Sequence, residues 1–326
     1  MRHLHVWGRK HPRQSYRRPI DCVGRFPNAV RVPWSGACDI TNRVPTPTRA
    51  GAGVCGTLED MRIVVCVKHV PDTQSDRRIE DGHIVRGEDD VLNELDENAI
   101  EAAVQLVEAE DEGEVIALTM GPEDAEDAIL RALQMGADRG VLVTDERLAG
   151  SDAVGTSQVL GAAIRRIGQD TPVDLVVTGM ASLDGMTSMM PAALAAQLHL
   201  PFLGLAHAME VAPEGSGHRV RIERSADGFD DTLSAPTPVV VSVTDQINEP
   251  RYPSFKTMKA ARSKPVETWE LEDLRDHGIG EDPDRPLSAT QVLDAEARRR
   301  DTAGVLVTDS GDGGERLARY LIDEVL

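Results

Sequence analysis

The sequence feature that most constrains the fold is a regular alternation of short β-branched runs with longer amphipathic runs after Met61. The short runs are continuously apolar, which is typical of strands buried on both faces. The longer runs carry apolar residues at the three- and four-residue spacing of a helix. The predicted strands are residues 63–68, 114–120, 140–144 and 173–179, and the predicted helices are residues 96–109, 122–135, 152–167 and 185–198. Strands that alternate with helices predict right-handed βαβ units, and therefore an α/β domain with a parallel sheet.

After residue 200 the pattern changes to shorter elements. Three predicted antiparallel strands and the apolar run after them are residues 207–211, 219–224, 231–233 and 238–243. A charged linker at 278–283 precedes a predicted amphipathic helix at 314–326, in which Leu317, Tyr320 and Leu321 share one face. That apolar face needs a cover, either from another chain or from the helix's own domain, and the sequence leaves both open.

The first 60 residues differ in composition from the rest. They hold ten basic and four acidic side chains, whereas the whole chain of 326 residues has a formal net charge of −20. We expect residues 1–60 to be an extension outside the folded domain, arising from a misassigned start, with Met61 as the true first residue. A mitochondrial transit peptide is the less favoured alternative, because prolines and glycines would break its amphipathic helix.

The composition after residue 60 argues against several functional classes. Its acidity argues against nucleic-acid binding, and no apolar run approaches the about 20 residues that span a bilayer. Only Cys66 remains there and the histidines lack ligand spacing, so we expect no disulfide framework, no metal site and a cytoplasmic location. After residue 60 the GxGxxG and GxxxxGK[ST] fingerprints are absent. No Ser/His/Asp set or pair of carboxylates stands out, so we expect a protein that is not itself an enzyme.

A basic segment, residues 247–265, stands out on this acidic chain. Positive charge around apolar residues is typical of a docking surface, because rim charges steer the encounter and central apolar side chains supply affinity. The apolar residues are Tyr252, Phe255 and Met258, and the basic residues expected to steer acidic partners are Arg251, Lys256 and Lys259. A solvated amphipathic helix, with Phe255 and Met258 packed inward, fits the same spacing.

Candidate ligand-binding residues follow the predicted strands, at the edge where open parallel sheets bind ligands. Cys66 and Met120 close two strands, and residues 93–96 open a helix. The richest junction is the loop 179–190, whose small residues and hydroxyls would let backbone N–H groups approach a phosphate at a helix N-terminus. Taken alone, a plain turn between a strand and a helix is the simpler explanation of this loop.

Five sequence motifs occur in the order found in one known family. They are VCVKHVPD at 65–72, NELDENA at 93–99, ALQMGAD at 132–138, DG at 227–228 and NEPRYPSFK at 248–256. From Met61 to the C-terminus the chain resembles the electron transfer flavoprotein β subunits. The resemblance implies a Rossmann-like, adenine nucleotide α-hydrolase-like domain at 61–245, with short antiparallel additions. It also implies a partner recognition segment at 246–265, and a linker with an extended C-terminal arm onto an α subunit at 266–326.

The resemblance implies two cofactors. FAD would be held mainly by the α subunit, with one flavin edge covered by Leu95 and Thr73 of this chain, and AMP would bind within this chain. The implied contacts to adenosine are Cys66, Asn93, Glu94, Leu95, Asp96 and Met120. The implied residues at the phosphate end are Gly179, Asp184, Gly185, Thr187, Ser188, Met189 and Met190. Relatives often carry polar residues where this chain has methionines, so the phosphate would depend here on backbone N–H groups and the two hydroxyls.

The resemblance also implies a function and partners. The heterodimer would carry electrons from acyl-CoA dehydrogenases, as in fatty acid β-oxidation, to a membrane quinone oxidoreductase. The implied partner-binding residues, with Phe255 as the anchor, are Tyr252, Phe255, Lys256, Met258 and Lys259. Two alternatives stay open: an electron-bifurcating flavoprotein with a second FAD in place of AMP, and a stand-alone adenine-nucleotide-binding regulatory module.

Overall fold

The computed structural model describes residues 61–75, 78–80, 82–86, 89–110, 113–279, 287–296 and 308–325. The expected extension at 1–60 and most of the expected linker at 278–283 lie outside these residues. The strands, in chain order, are β1 (Arg62–Cys66), β2 (His69–Pro71), β3 (Ile79–Glu80), β4 (His83–Ile84), β5 (Asp90–Leu92), β6 (Glu114–Met120), β7 (Arg139–Val143), β8 (Leu175–Gly179), β9 (Phe202–Ala206), β10 (Ala208–Glu214), β11 (Gly217–Ala226), β12 (Phe229–Pro236), β13 (Val239–Val243) and β14 (Val266–Trp269). The α-helices are α1 (Glu94–Glu110), α2 (Glu126–Met135), α3 (Ala153–Ile167), α4 (Met190–Leu198), α5 (Phe255–Ala261) and α6 (Gly313–Tyr320).

A parallel sheet forms the centre of the domain, which confirms the predicted fold class. Its seven strands, counted within the described residues, follow the order β14-β7-β6-β1-β8-β13-β9, and every neighbouring pair runs parallel. Successive Val, Ile and Leu residues along the central strands favour this arrangement, because such strands are buried on both faces. The carboxyl end of β1 therefore lies between those of β6 and β8.

Helices cover both faces of the sheet. Successive side chains of a strand point to opposite faces, and Val65 of β1 accordingly packs in one apolar core with Ile100 of α1. Val64 packs in the other core with Val159 of α3 and Leu194 of α4. Each of these side chains is fully buried and stabilises the fold by about 1.5–3 kcal/mol. The two cores hold the strand ends in a fixed arrangement.

Several elements differ from the prediction. α4 begins at Met190 and not at residue 185, because Met186 and Ser188 have φ values of 48° and 51°, which an α-helix cannot contain. β10, β11 and β12 are longer than expected and form an antiparallel sheet of their own. β9 and β14, at the two edges of the parallel sheet, have no counterpart in the prediction.

The C-terminal helix α6 exposes its apolar face. Leu317 is 59% exposed and Tyr320 56% exposed, so the alternative that this helix packs on its own domain is wrong for the described residues.

Upstream, Asp152 caps the N-terminus of α3 by accepting a hydrogen bond from the N–H of Gly155 at 2.8 Å. The same carboxylate accepts hydrogen bonds from the N–H and the hydroxyl of Thr290, at 3.0 and 2.9 Å. The start of the C-terminal arm is thus fixed to the domain.

Candidate functional site

The predicted site residues meet at the carboxyl edge of the central strands. Cys66, Met120 and Gly179 end β1, β6 and β8, and the strand register pairs Cys66 with Leu118 of β6 and Thr178 of β8, within two residues of the ends of both neighbours. The first turn of α1 lies against the same edge, because the Asp96 carboxylate accepts a hydrogen bond from the N–H of Lys68 at 2.8 Å. The arrangement is the one in which open parallel sheets bind ligands.

Gly179 allows the closest approach at this edge. A Cβ atom at this position would lie 2.6 Å from the Asp96 carboxylate and 2.7 Å from the carbonyl oxygen of Leu95. Real Cβ atoms essentially never come so close to other atoms. Glycine is therefore required where the end of β8 meets the start of α1.

Asn93 joins the start of α1 to the loop that follows β8. Its side-chain amide donates a hydrogen bond to the carbonyl oxygen of Ala181 at 2.9 Å, and its side-chain oxygen accepts one from the N–H of Leu183 at 3.0 Å. Asn93 is completely buried, so its side chain supports the loop and is not available to a ligand. Any ligand contact at this residue would be made by the backbone.

Two buried ionisable side chains stand beside this junction. Burial raises the pKa of Asp96 to about 7, and hydrogen bonds from Asn93 and from the Lys68 N–H offset only part of that effect. Burial, together with the nearby Asp96 carboxylate, raises the pKa of the Cys66 thiol to about 12. Cys66 is therefore a neutral thiol at physiological pH and not an activated nucleophile.

Asp184 anchors the loop after β8 to two cations. Its carboxylate accepts hydrogen bonds from Lys68 Nζ at 2.9 Å, from Arg86 Nη2 at 2.6 Å and from the N–H of Gly185 at 2.7 Å. Burial alone would raise the pKa of Asp184, but the hydrogen bonds and positive charges of Lys68 and Arg86 hold it well below its usual range. The ionised carboxylate thus ties the loop to the end of β1 and to the segment before β5.

The outer part of the same loop faces solvent. Gly185, Thr187, Ser188 and Met189 are exposed, and Met190 is half-buried at the start of α4. The left-handed φ of Ser188 turns the chain into that helix. Glycine, two hydroxyls and irregular backbone at a helix N-terminus are groups that can approach an anion.

The remaining predicted nucleotide contacts surround this junction. Met120 and Leu95 are half-buried, whereas the Glu94 and Thr73 side chains are exposed. Sequence reasoning did not assign Lys68 and Arg86 a role here. Lys68 is the last residue of the predicted first strand, 63–68, so a basic residue at a ligand-binding strand end was the available signal. Arg86 lies in a segment that carries no comparable signal.

The basic segment presents aromatic side chains to solvent on α5 and just before it. Tyr252 is 87% exposed and Phe255 81% exposed, whereas Met258 is 37% exposed. The alternative in which Phe255 packs inward is therefore wrong. Ser254 caps α5 by accepting a hydrogen bond from the N–H of Thr257 at 3.2 Å. Lys256 and Lys259 are exposed, as a steering role requires.

The contacts of Arg251 contradict the expectation that it steers acidic partners. Its guanidinium binds the carboxylates of Glu101 and Glu108 on α1, at 2.7 and 2.6 Å. A cation already paired with two carboxylates adds little attraction for a distant acidic partner. The signal that could have found this contact is Glu101, an acid within the predicted helix that lies among the buried residues of α1, because a buried carboxylate requires a partner.

Two absences among the described residues bear on the site. These residues contain no group of three or more His, Cys, Asp or Glu side chains that could hold a metal ion. They also contain no helix long and apolar enough to cross a membrane.

Comparison with known proteins identifies the family. Residues 81–274 match the model of the electron transfer flavoprotein domain. The chain is 40% identical over 268 residues to the electron transfer flavoprotein subunit beta of Mycobacterium tuberculosis, covering 80% of this chain and 97% of that protein. It is 33% identical over 208 residues to the same subunit of Megasphaera elsdenii, covering 62% and 76%. It is also 35% identical over 218 residues to the protein FixA of Azorhizobium caulinodans, covering 65% and 76%.

These matches carry the general properties of the family. Electron transfer flavoproteins associate with flavin and are electron carriers rather than enzymes, and their β subunits pair with α subunits. The parallel sheet of this chain is consistent with that family. The chain belongs to the electron transfer flavoprotein β subunits.

Proposed function

We propose that this chain forms a heterodimer with an α subunit and that the heterodimer carries electrons from acyl-CoA dehydrogenases to a membrane quinone oxidoreductase in the cytoplasm. FAD, held mainly by the α subunit, supplies the redox chemistry when it is bound. The single observation that carries the proposal is Phe255, an aromatic side chain 81% exposed on a helix that is fixed to the domain. An exposed aromatic ring with lysines around it fits a docking contact with another protein.

The docking contact is tested by removing the aromatic ring. Phe255→Ala should lower the affinity of the heterodimer for an acyl-CoA dehydrogenase by about 30-fold, the effect of losing a contact worth about 2 kcal/mol. The measurement is the KM of the dehydrogenase for the heterodimer. The FAD content of the wild-type and Phe255→Ala heterodimers is determined alongside it. Phe229→Ala removes a ring that is 69% exposed at the start of β12 and serves as the matched control. An unchanged KM for Phe255→Ala would contradict the proposal that Phe255 contacts the dehydrogenase.

The strand-end site is proposed to hold AMP. Its residues fit an adenine nucleotide: the parallel strands β1, β6 and β8 end together at Cys66, Met120 and Gly179, and the loop beyond β8 exposes Thr187 and Ser188. Lys68, whose side chain is 43% exposed, and Arg86 bring positive charge beside the proposed phosphate position. These cations compensate for Asp184, an acid that alone would repel a phosphate.

The nucleotide assignment is tested by releasing what the purified heterodimer holds. The chain is co-expressed with a candidate α subunit, the complex is denatured, and FAD and AMP are measured by chromatography. One FAD and one AMP for each heterodimer are expected. Two FAD without AMP would support an electron-bifurcating flavoprotein, and adenine nucleotide on this chain without a stable α complex would support a stand-alone regulatory module.

The α subunit is proposed to cover the C-terminal arm. The apolar face of α6 is exposed in the isolated chain, while the arm's start is held at α3 by Asp152. Leu317→Ser should therefore weaken the heterodimer, because burial of a Leu side chain is worth about 1.5–3 kcal/mol. Sedimentation of the two mixed subunits measures this effect, and unchanged association would place the interface elsewhere.

A further inference from the structure

The proposed docking segment, residues 248–262, is bound tightly to α1 through Arg251. Arg251 Nε donates to Glu101 Oε2 at 2.7 Å and Nη2 donates to Glu101 Oε1 at 3.2 Å. Nη1 and Nη2 donate to the two oxygens of Glu108 at 2.6 and 2.7 Å. The backbone N–H of Arg251 also donates to Glu101 Oε2 at 3.2 Å. One guanidinium thus bridges two carboxylates that lie two turns apart on the same face of α1.

The burial of Glu101 makes this contact difficult to replace. The Glu101 side chain is 4% exposed and that of Arg251 is 32% exposed, whereas Glu108 is 58% exposed. Paired hydrogen bonds between a guanidinium and a carboxylate are among the strongest in proteins and fix the orientation of both groups. Removing the cation would leave a buried, unpaired carboxylate, which is strongly unfavourable.

Two other contacts fix the ends of the docking segment. Before Arg251, the side-chain amide of Asn98 donates to Asn248 at 3.1 Å, and that of Asn248 donates back to the carbonyl oxygen of Asn98 at 3.0 Å. After α5, Lys264 Nζ donates to carbonyl oxygens at the C-terminal end of α2, the closest being that of Ala137 at 2.5 Å. Cations are favourable at this end of a helix.

The exposed rings lie between these fixed points. Tyr252 directly follows Arg251, and Arg131 of α2 lies over the Tyr252 ring with its guanidinium carbon 5.5 Å from the ring centroid. Phe255 is the first residue of α5, directly after the cap residue Ser254, and its side chain is 81% exposed. The domain therefore fixes the positions of these two rings and leaves most of their surface exposed to solvent.

We infer that Arg251 is the positioning residue of the docking segment: through Glu101 and Glu108 it holds residues 252–262 in the docking conformation before a partner arrives. The inference rests on the proposed function and deepens it. When a segment must be ordered during binding, its apparent affinity is proportional to the fraction of molecules already in the binding conformation. Arg251 contributes to docking without touching the partner.

The principal test replaces Arg251 with a side chain of similar length that carries no charge. In Arg251→Met the docking conformation should become a minor state, and the KM of an acyl-CoA dehydrogenase for the heterodimer should rise roughly tenfold. The kcat and the FAD and AMP content should stay at the wild-type level. Hydrogen exchange supplies a readout independent of electron transfer: peptides that cover residues 252–262 should exchange faster, while those of β1 and β8 should not.

Two further variants act as graded controls. Arg251→Lys keeps the charge but cannot bind both carboxylates through paired hydrogen bonds, so its KM should lie between those of wild type and Arg251→Met. Arg219→Met removes a guanidinium from another ion pair, the one with Glu214 on the β10–β11 hairpin, and should leave the KM unchanged. Glu108→Gln weakens the contact from its exposed side and should raise the KM and the exchange rate moderately, even if Arg251→Met does not fold.

A double-mutant cycle separates this inference from the proposed function. If Arg251 acts by raising the fraction of molecules in the docking conformation, Arg251→Met should raise the KM by the same factor whether residue 255 is Phe or Ala, because Phe255→Ala weakens the contact within that conformation and not its population. A raised KM in Phe255→Ala with wild-type KM and exchange in Arg251→Met and Glu108→Gln would overturn the inference alone. A wild-type KM in Phe255→Ala would instead overturn the docking function itself.

Discussion

Asp96 should make the stability of this protein depend on pH in a direction opposite to that of most carboxylates. Burial raises its pKa in the folded chain to about 7, from the ordinary value of 3.8. The folded state therefore holds the Asp96 proton more tightly than the unfolded state does. Its contribution to stability is fully present below pH 3.8 and is lost as the pH rises through about 7. Most carboxylates in proteins have lowered pKa values, and their contribution to the stability of the fold is lost as the pH falls.

The size of the effect follows from the distance between the two pKa values. At about 1.4 kcal/mol for each pH unit, the loss between pH 4 and pH 8 is at most about 4 kcal/mol. Asp96→Asn removes the titration and keeps a side chain of the same shape. One amide oxygen cannot replace both carboxylate oxygens, so the substitution also has a constant effect at every pH. The free energy of unfolding of wild type minus that of Asp96→Asn should nevertheless decrease as the pH rises.

The assay is urea unfolding of both heterodimers between pH 5 and pH 8, at one protein concentration and with the same nucleotide content. Other titrating groups contribute to both proteins and cancel in the difference. Wild type should lose more stability than Asp96→Asn over this range, with the steepest change between pH 5 and pH 6 and a levelling off above pH 7. Parallel curves would refute the reasoning, because they would mean that Asp96 is already ionised throughout the range despite its burial.

Three further predictions concern the strand-end site and the arm. Gly179→Ala should lower the free energy of unfolding by about 1–3 kcal/mol and release nucleotide, because the added Cβ would lie 2.6 Å from the Asp96 carboxylate. Gly314→Ala, whose Cβ meets nothing within 4 Å, is the control in the same urea titration. Asp152→Ala should lose about 1 kcal/mol through the lost helix cap and free residues 287–296 to proteolysis, and an unchanged cleavage rate would contradict this. Cys66 should resist alkylation at pH 8 until urea unfolds the domain, because its pKa is about 12. Peptide mapping that finds alkylated Cys66 in the folded protein would disprove this.

The sequence predicted the centre of the fold better than its edges, for a physical reason. β1, β6 and β8 are continuous runs of Val, Ile and Leu that only a doubly covered strand can bury. β14 has the pattern VETW, with its two middle residues exposed, and becomes a strand only because β7 offers it hydrogen-bonding partners. β9 contains Gly204 and a left-handed Leu205 with a φ of 63°, so its local sequence disfavours a strand until β13 pairs with it.

The site could be predicted by position but not by role. The residues expected near the nucleotide do gather at the carboxyl ends of the strands, because the parallel topology alone brings those ends together. Whether a polar residue faces a ligand or supports the backbone depends on contacts distant in sequence. Arg251 is the clearest example, since Glu101 precedes it by 150 residues. The sequence shows that both charges exist but not that they meet.

Helix α1 supports both proposed functional regions of the chain. Its first turn supports the proposed nucleotide site, where Asp96 accepts a hydrogen bond from the N–H of Lys68, just after β1, and lies against Gly179. Its later turns hold the docking segment through Glu101 and Glu108. Because a helix packed on a sheet is rigid, the strand-end site and the exposed ring of Phe255 keep a fixed relation to each other. A substitution in the buried face of α1, such as Ile100→Ala, should therefore impair nucleotide retention and docking together. Arg251→Met should impair docking alone, since Arg251 contacts later turns of α1 and not the residues of the strand-end site.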